Sequence, residues 1–349
     1  MDIVIDDLQV TKRLNLFGPF VQKRSKDGMD PMPANQNKSG GFERNPSILS
    51  MLTKTQLVNF VEKLFLNEGS IESLSLDPKI LRRFIEKTSL HYRENPYHNF
   101  HHAVDTVNTI GWMFSLPVFH RHLPQHHKFL LLFTALIHDI DHPGHNNQWE
   151  ISIQSALAKK YQNEAVLEKH SLDVTRHLLS DPKYIFLANV EAETVGEWMN
   201  TIEELVMATD FAAHRRFLDD FGAYLENNEP DFSQPQFLSW ITRALMKAAD
   251  IANTSKPFPE SMVWGKRVMM EFWAQGVKEK SRNFPVGPLN DPETVKLNAA
   301  QAGFIRFAVL ELFQLIARVE PGFQLLVDTL TTNLAIYDEM AQSGDDLFE

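Results

Sequence analysis

Histidine and carboxylate residues are concentrated in one short part of this chain. Of its 14 histidines, 11 lie between His91 and His145. Two groups stand out within that part: the pair His98-x-x-x-His102, and the run HDIDHPG over residues 138–144. Imidazole nitrogen suits zinc, whereas carboxylate oxygen and water suit magnesium or manganese. The residue types and their spacing therefore predict a metal site with mixed ligands.

Helical spacing gives a reason for these side chains to converge. Residues four apart lie on one face of a helix, so we expect His98 and His102 to point the same way from a helix that Asn95-Pro96 opens. We expect His138 and His142 to do the same at the end of an apolar, central helix over residues 129–142, which Pro143-Gly144 stops. A carboxylate can bind one metal ion through each of its oxygens. The carboxylates in this run therefore predict two adjacent metal ions, roughly 3.5–4 Å apart.

Each of the two histidine groups could have a purely structural role instead of binding a metal. A lone H-x-x-x-H pair is more often a surface pair than a metal site, but a buried polar cluster of this density must be hydrogen-bonded, paired or metal-bound. The two groups together favour metal binding. A further histidine-rich run, residues 120–127, contains proline and is polar, so we interpret it as an exposed loop between helices.

Composition excludes several classes of protein. With 43% apolar and 23% charged residues the chain is globular, and its net charge of -11 argues against binding a nucleic acid polymer. The negative net charge remains compatible with a small anionic substrate, because a bound metal makes the local electrostatic potential positive. The absence of cysteine excludes disulfides, thiolate zinc sites and cysteine nucleophiles.

The remaining pattern predicts helices throughout. We expect residues 1–45 to be an N-terminal extension, partly disordered or linker, and residues 46–349 to form one compact all-α domain, with helical subdomains around a shared pocket. An apolar stripe predicts a helix over residues 52–66. A capping box at Thr201 predicts one that runs through Phe217, and Asp291-Pro292 predicts one that continues towards Val319.

Targeting signals are not recognisable in the sequence. No apolar stretch is long enough to span a bilayer, the first residues lack the pattern of a secretory signal, and Asp2 stands where N-myristoylation needs glycine. A cytoplasmic protein is the resulting expectation. The sequence favours no particular oligomeric state.

Six short segments, in chain order, carry a family resemblance. They are YHNFHHAVD (97–105), HDIDHPGHNN (138–147), VLEKH (166–170), ATD (208–210), ADIAN (249–253) and QAGF (301–304). Together they resemble the signatures of class I 3′,5′-cyclic-nucleotide phosphodiesterases, and the resemblance extends over about residues 50 to 340. It implies the all-α, HD-like fold of that family and hydrolysis of a 3′,5′-cyclic nucleotide to the 5′-monophosphate.

The resemblance also implies roles for particular residues. The tighter metal, zinc, would be held by His102, His138, Asp139 and Asp250. Asp139 would bridge to magnesium, with manganese as an alternative, and a hydroxide between the metals would attack phosphorus. His98 would be the general acid, and Glu168 would orient it. Three further residues would organise metal-bound waters: Asp141, His142 and Thr209.

The same resemblance implies a purine pocket. Gln301 would hydrogen-bond the base, with Phe304 stacked on one side and Val268 opposite. Asn253 would meet the polar edge, and Phe272 and Leu289 would complete the wall. Because a glutamine amide can present either end, Gln301 alone does not select a base. Asn253 resembles the residue of cAMP-selective members, which favours cAMP, with a dual cAMP/cGMP enzyme as the alternative.

Two other functions use parts of the same pattern. An HD-type metal-dependent phosphohydrolase acting on another nucleotide would share the histidine and aspartate ligands. A non-catalytic scaffold that binds cyclic nucleotides would require a broken catalytic set. The presence of Gln301, Phe304, His98 and all four expected ligands favours the phosphodiesterase.

Overall fold

The computed structural model describes residues 52–344, and no β-strand occurs among them. The first helices are α1 (Lys54–Asn67), α2 (Ser70–Ser73), α3 (Pro78–His91), α4 (Phe100–Met113), α5 (Pro117–His122), α6 (Gln125–Ile137), α7 (Asn147–Ser152) and α8 (Ala156–Lys160). They are followed by α9 (Val166–Ser180), α10 (Ala192–Met207), α11 (His214–Asn227), α12 (Pro235–Asp250), α13 (Phe258–Ser281), α14 (Leu297–Phe304), α15 (Leu310–Val319) and α16 (Gln324–Ser343). Short helical segments complete the list of elements: 3-10 turns at Phe211–Ala213, Ala252–Ser255 and Pro321–Phe323, and a π-helical stretch at Ile305–Val309.

The predicted central helix is α6. Every residue from Lys128 to Ile137 is buried, and α6 packs against α4, α10 and α12. The apolar stripe expected near the start of the described chain is also present, since α1 buries Leu57, Phe60 and Val61. The all-α prediction is confirmed. The predicted boundary at residue 45 lies outside the described residues.

The second histidine pair does not share a helix, contrary to the expectation. The helix α6 ends at Ile137, and residues 138–141 form a turn. Asp141 has a left-handed φ of 62°, which no α-helix accommodates. His142 therefore reaches the site through a turn rather than one helical turn beyond His138.

The helix predicted to carry the first pair starts later than expected, so it contains His102 but not His98. Asn99, not Asn95, caps α4: its side chain accepts hydrogen bonds from the backbone N–H groups of His101 and His102. His98 consequently lies before the helix, and His102 in its first turn. An asparagine directly before the first helical residue reaches the N–H groups of the second and third residues, whereas the side chain of Asn95 is bonded to the carbonyls of His98 and His142.

Two predicted helix starts were wrong. Thr201 lies inside α10, where its hydroxyl donates to the carbonyl of Glu197, so it caps nothing. Asp291 belongs to a turn, and α14 begins only at Leu297. The carboxylate of Asp291 accepts hydrogen bonds from Glu293 and from the ammonium of Lys280, which fixes the turn locally.

The run 120–127 is more ordered than an exposed loop. Its histidines lie at the end of α5 and the start of α6, and only Leu123 and Pro124 connect the two helices. Burial, together with the neighbouring His126, lowers the pKa of His127 to about 4. Across residues 52–344, no helix is both long and apolar enough to cross a membrane.

Candidate metal centre and active site

Four predicted metal ligands meet at one point, although the chain delivers them from three places. His102 comes from α4, His138 and Asp139 follow α6, and Asp250 ends α12. One ligand atom from each lies within 4.8 Å of the others. Nε2 of His102 lies 3.0 Å, and Nε2 of His138 3.2 Å, from Oδ1 of Asp250. Two imidazoles and two carboxylates fit a borderline divalent ion such as zinc.

A backbone contact of His138 determines which ring nitrogen faces the cluster. Its Nδ1 donates to the carbonyl of Ala135 at 3.0 Å, so in the neutral ring Nε2 keeps the lone pair that a metal requires. Burial acts to raise the pKa of Asp139 and of Asp250, but the facing histidines hold both pKa values well below the usual range. Both side chains are therefore carboxylates.

Those carboxylates also affect the histidines. Burial acts to lower the pKa of His102 and of His138, but Asp139 and Asp250 prevail and raise both pKa values. A metal entering the cluster must displace the protons that this pairing retains. Metal binding should therefore strengthen as the pH rises.

His98 lies beside the cluster and is held by Glu271 of α13. Nδ1 of His98 donates to one carboxylate oxygen, and the other oxygen accepts the backbone N–H groups of Tyr97 and His98 at 3.0 and 3.1 Å. Burial acts to lower the pKa of His98, but the charges of Glu271, Asp139 and Asp250 raise it to about 9. The ring is therefore a cation at neutral pH, with Nε2 left to deliver a proton.

Glu168 does not contact His98 in the described structure, contrary to the expectation. Its Oε2 instead accepts a hydrogen bond from Nδ2 of Asn147 at 2.9 Å. The reason is the position of α9, which packs against α7 and so brings Glu168 to Asn147, while α13 brings Glu271 to His98. The orienting carboxylate is Glu271.

Glu168 belongs instead to a group of acidic side chains. Burial, with the charges of Asp210 and Asp139, raises its pKa to about 7. Thr209 precedes Asp210 in the turn after α10, and its hydroxyl donates to the carbonyl of Val206 at 2.7 Å. Glu168 therefore lies near both Asp210 and Asp139, and Asp139 is the residue at which bridging to a second ion was predicted.

His142 is stacked on His98, with 4.0 Å between the ring centroids. Burial and the adjacent His98 cation lower the pKa of His142 to about 3, and its Nδ1 accepts the N–H of Gly144. His142 is therefore a neutral ring packed against a charged one. The ligand atoms of His98, His142 and Glu271 also lie within 4.8 Å of one another, but the Nδ1 of His98 is engaged by Glu271.

Asp141, which was expected to organise metal-bound water, is paired with two basic side chains. Its carboxylate pairs with Nε of Arg93 at 2.7 Å through one oxygen and with Nε2 of His170 at 2.8 Å through the other. These two pairings lower the pKa of Asp141, although burial acts to raise it. Through these two pairings Asp141 connects the segment before α4 to α9.

The turn carrying His142 is fastened to the segment carrying His98. Nδ2 of Asn95 donates to the carbonyl of His98 at 2.9 Å and to that of His142 at 2.8 Å. Gly144 has φ +75°, and a Cβ there would lie 2.8 Å from Oδ1 of Asn95. Only glycine fits both the conformation and this close approach.

The predicted substrate residues lie on neighbouring segments. Gln301 and Phe304 are one turn apart on α14, and α14 packs against α13, which carries Val268 and Phe272. Gln301 is buried against Gly265 of α13, where a Cβ would lie 3.1 Å from its Cδ. Leu289 is exposed on the segment between the two helices.

Asn253 is connected to the metal cluster through Tyr97. Its Nδ2 donates to the hydroxyl of Tyr97, whose ring lies 4.6 Å from that of His102. Phe304 is half-buried, and its ring lies 5.7 Å from that of Phe211. Of the predicted pocket residues, Asn253 lies nearest in sequence to a metal ligand, three residues after Asp250.

Sequence reasoning missed Glu271, and a signal for it existed. Glu271, Gln275 and Glu279 recur every fourth residue in α13, and all three are buried. Polar residues at i, i+4 and i+8 form one stripe of a helix. Such a stripe within an otherwise apolar pattern indicates a face directed at polar partners rather than at solvent.

The chain is similar to known proteins over most of its length. The family described as 3′5′-cyclic nucleotide phosphodiesterase matches residues 97–330, well over half of the chain. The high affinity cGMP-specific 3′,5′-cyclic phosphodiesterase 9A of Pan troglodytes is 28% identical over 295 residues, 84% of this chain and 49% of that protein. The probable 3′,5′-cyclic-AMP phosphodiesterase pde-4 of Caenorhabditis elegans is 32% identical over 254 residues, 71% of this chain and 38% of that protein.

Solved structures resemble the chain over a similar extent. The phosphodiesterase domain of the Salpingoeca rosetta rhodopsin phosphodiesterase has a TM-score of 0.79 at 26% identity, covering 84% of this chain and 90% of that one. The chain spans about half the length, or less, of the curated relatives it matches. Relatives with cGMP and with cAMP in their names both occur.

Proposed function

The chain belongs to the 3′,5′-cyclic nucleotide phosphodiesterase family, and from this premise we propose that it hydrolyses a 3′,5′-cyclic nucleotide to the 5′-monophosphate, with cAMP favoured. The observation that carries the proposal is a four-residue metal-ligand cluster with His98 beside it, held by Glu271. A cluster alone would suit many phosphohydrolases. A proton donor fixed beside it suits the cleavage of a P–O bond.

The metal assignment is zinc at His102, His138, Asp139 and Asp250, with magnesium or manganese on the Asp139 side. The two imidazoles support zinc at the four-residue cluster. The oxygen-rich surroundings of Glu168 support magnesium or manganese on the Asp139 side. Divalent ions held there supply positive charge that lowers the pKa of water and stabilises the charge on the phosphate.

The proton balance gives His98 its role. A water oxygen forms a bond to phosphorus and loses a proton to solvent, the bond from phosphorus to the 3′ oxygen breaks, and the leaving oxygen takes up a proton. His98 is protonated at neutral pH and gives that proton from Nε2, because Glu271 holds Nδ1. Stacking on the neutral His142 keeps the ring in place.

Selection of the base follows from Asn253. Because its Nδ2 is engaged by Tyr97, we infer that Oδ1, an acceptor, is the atom offered to the base. Adenine carries an amino donor at position 6, whereas guanine carries an acceptor oxygen there. This favours cAMP, while Gln301 pairs with the base and Phe304, Val268, Phe272 and Leu289 surround it.

The test is a set of initial rates with cAMP and cGMP, with added Mg²⁺ and after chelation. We expect metal-dependent release of 5′-AMP, with cGMP the poorer substrate. Equal rates would reject the cAMP preference and support a dual enzyme. If metal is bound but neither nucleotide is hydrolysed, the phosphodiesterase proposal fails. A panel of other nucleotides then tests a general phosphohydrolase, and nucleotide binding without turnover indicates a scaffold.

A further inference from the structure

One buried lysine beside the site has no role in the proposed reaction. Lys247 lies in α12, three residues before Asp250, and only 4% of it is exposed. Its Nζ donates to the carbonyl of Ala208 at 2.6 Å. The rings of Phe211 and Phe217 lie 5.7 and 5.5 Å from the ammonium. The ammonium of Lys247 is thus buried between two aromatic rings and bonded to one backbone oxygen.

Ala208 is the residue that follows the last turn of α10. The final carbonyls of a helix have no partner within it, and the negative end of the helix dipole lies there. A lysine that reaches such a carbonyl from another helix satisfies an acceptor and opposes that partial charge. Lys247 therefore joins the end of α10 to α12.

The bond from Lys247 to Ala208 also affects the position of the next two residues. Thr209 and Asp210 follow Ala208, and Asp210 lies close enough to Glu168 to contribute to its raised pKa. Burial lowers the pKa of Lys247 to about 8, while the charges of Asp250 and Asp210 act to raise it. The turn that Lys247 holds is thus the turn that faces the acidic side of the metal cluster.

We propose that Lys247 is a positioning residue for the second metal: its bond to the Ala208 carbonyl fixes the turn over residues 208–210, so that Thr209 and Asp210 face Glu168 and Asp139. This inference rests on the proposed function for the chemistry that the site performs. Its structural part, the binding of the second ion, can be measured without any substrate.

The experiment compares Lys247→Met with Lys247→Arg. Methionine is unbranched and of similar length but cannot donate a hydrogen bond, whereas arginine retains both the donor and the charge. Mn²⁺ binding is followed by electron paramagnetic resonance on protein loaded with one equivalent of Zn²⁺. Loss of an outer contact typically weakens metal binding by about 10- to 100-fold, and that is the loss expected for Lys247→Met. The substitution should lower kcat more than it changes KM, and arginine should restore most of both losses.

Lys128→Met is the matched control. Lys128 is also buried, donates to a helix-end carbonyl, that of His120 at 3.2 Å, and lies 5.7 Å from the ring of Phe114, but it belongs to α6 and contacts none of the site. We expect Lys128→Met to cost stability, measured by denaturation, while Mn²⁺ binding and kcat stay near wild type. If Lys247→Met does not fold, Lys247→Gln replaces it, because the shorter amide cannot reach Ala208 and the same loss is expected.

Several results would overturn the inference. Wild-type Mn²⁺ affinity in Lys247→Met would do so, and so would tighter binding, which would mean that Lys247 only repels the ion. An equal loss in Lys128→Met would assign the effect to general destabilisation. The wild-type protein separates this inference from the proposed function: Mn²⁺ binding without hydrolysis of cAMP or cGMP rejects the function, and the variants still decide the role of Lys247.

Discussion

Removing the charge of Glu271 while keeping its shape separates two effects that this residue has on His98. Glutamine can still accept the ring N–H, but it no longer stabilises the imidazolium, so the pKa of His98 must fall from about 9. A general acid works only while it is protonated, so activity is lost as the pH rises through that pKa. We expect Glu271→Gln to move the alkaline limb of the kcat/KM profile to lower pH.

Glu168→Gln is the control for this change, because it removes a nearby carboxylate that is bonded to Asn147 rather than to His98. Its alkaline limb should stay where the wild-type limb lies. A profile that shifts with Glu168→Gln and not with Glu271→Gln would show that Glu168, as first expected from the sequence, sets the protonation of His98.

Tyr97 offers a second prediction at the scale of one residue. Its hydroxyl fixes the amide of Asn253, and without it the amide can present either its oxygen or its nitrogen to the base. We expect Tyr97→Phe to relax the preference for cAMP over cGMP by about 10-fold, the value of one discriminating hydrogen bond of roughly 1.4 kcal/mol. The measurement is the ratio of kcat/KM for the two nucleotides. An unchanged ratio would reject the role given to Asn253.

The helix α13 positions parts of the site through a buried polar stripe. Besides Glu271, it carries Gln275, which bonds the backbone and side chain of Asn146, and Glu279, which accepts hydrogen bonds from Gly287 and Asn290. These contacts fasten the segment before α4, the start of α7 and the connection to α14. One helix therefore fixes the relative positions of the proton donor, the turn before α7 and the wall of the predicted pocket.

Gly276 lets that connection approach α13 closely. A Cβ at this position would lie 1.8 Å from the carbonyl oxygen of Asn290, so Gly276→Ala must displace the backbone. We expect a loss of about 1–3 kcal/mol in the free energy of unfolding, as for other overpacked sites, measured by urea denaturation. The displaced segment carries Leu289, so KM should rise as well.

Gly196→Ala provides the contrast for that prediction. Gly196 lies in α10, and no atom comes within 4 Å of a Cβ placed there. Alanine is favoured over glycine inside a helix by about 0.5–1 kcal/mol, so this variant should be slightly more stable. If both alanine variants behaved alike, the close approach of α13 to residue 290 would not be what determines stability there.

At the scale of the molecule, the metal cluster joins helices that are distant in the sequence. Its ligands come from α4, from the end of α6 and from α12, and Asp250 follows His102 by 148 residues. An ion bound there stabilises only the folded chain, by about 2.7 kcal/mol when its concentration is a hundred times Kd. Chelation should therefore lower Tm, and added Zn²⁺ should restore it.

Two substitutions test whether this linkage comes from the named ligands. Asp250→Ala should abolish the response of Tm to Zn²⁺, because it removes a ligand. His98→Ala should keep the response while losing about 10²- to 10⁴-fold in kcat, because His98 donates a proton and does not ligate. A Tm response retained by Asp250→Ala would place the stabilising metal elsewhere, and near wild-type turnover in His98→Ala would reject the proton donor.

Local information in the sequence was sufficient for the helical class and for the central position of α6, whereas the four-residue metal-ligand set came from the family resemblance, since spacing alone does not link Asp250 to His102. Apolar periodicity carries the first two properties, because each depends on neighbours within a few residues. The starts and ends of helices were less well determined. Asn99 rather than Asn95 caps α4, and the turn after Ile137 replaces a helical continuation, since several nearby residues could serve as caps or stops.

Tertiary structure alone decided which side chains pair across long separations. Glu271 reaches His98 across 173 residues, and Lys247 reaches Ala208 across 39, and no local pattern ties either pair together. Such pairs depend on how whole helices pack, because the partner of a buried charge is whichever element lies across the interface. The assignment of Glu168 to His98 was wrong for that reason: the helix that passes His98 is α13, and α9 lies beside α7.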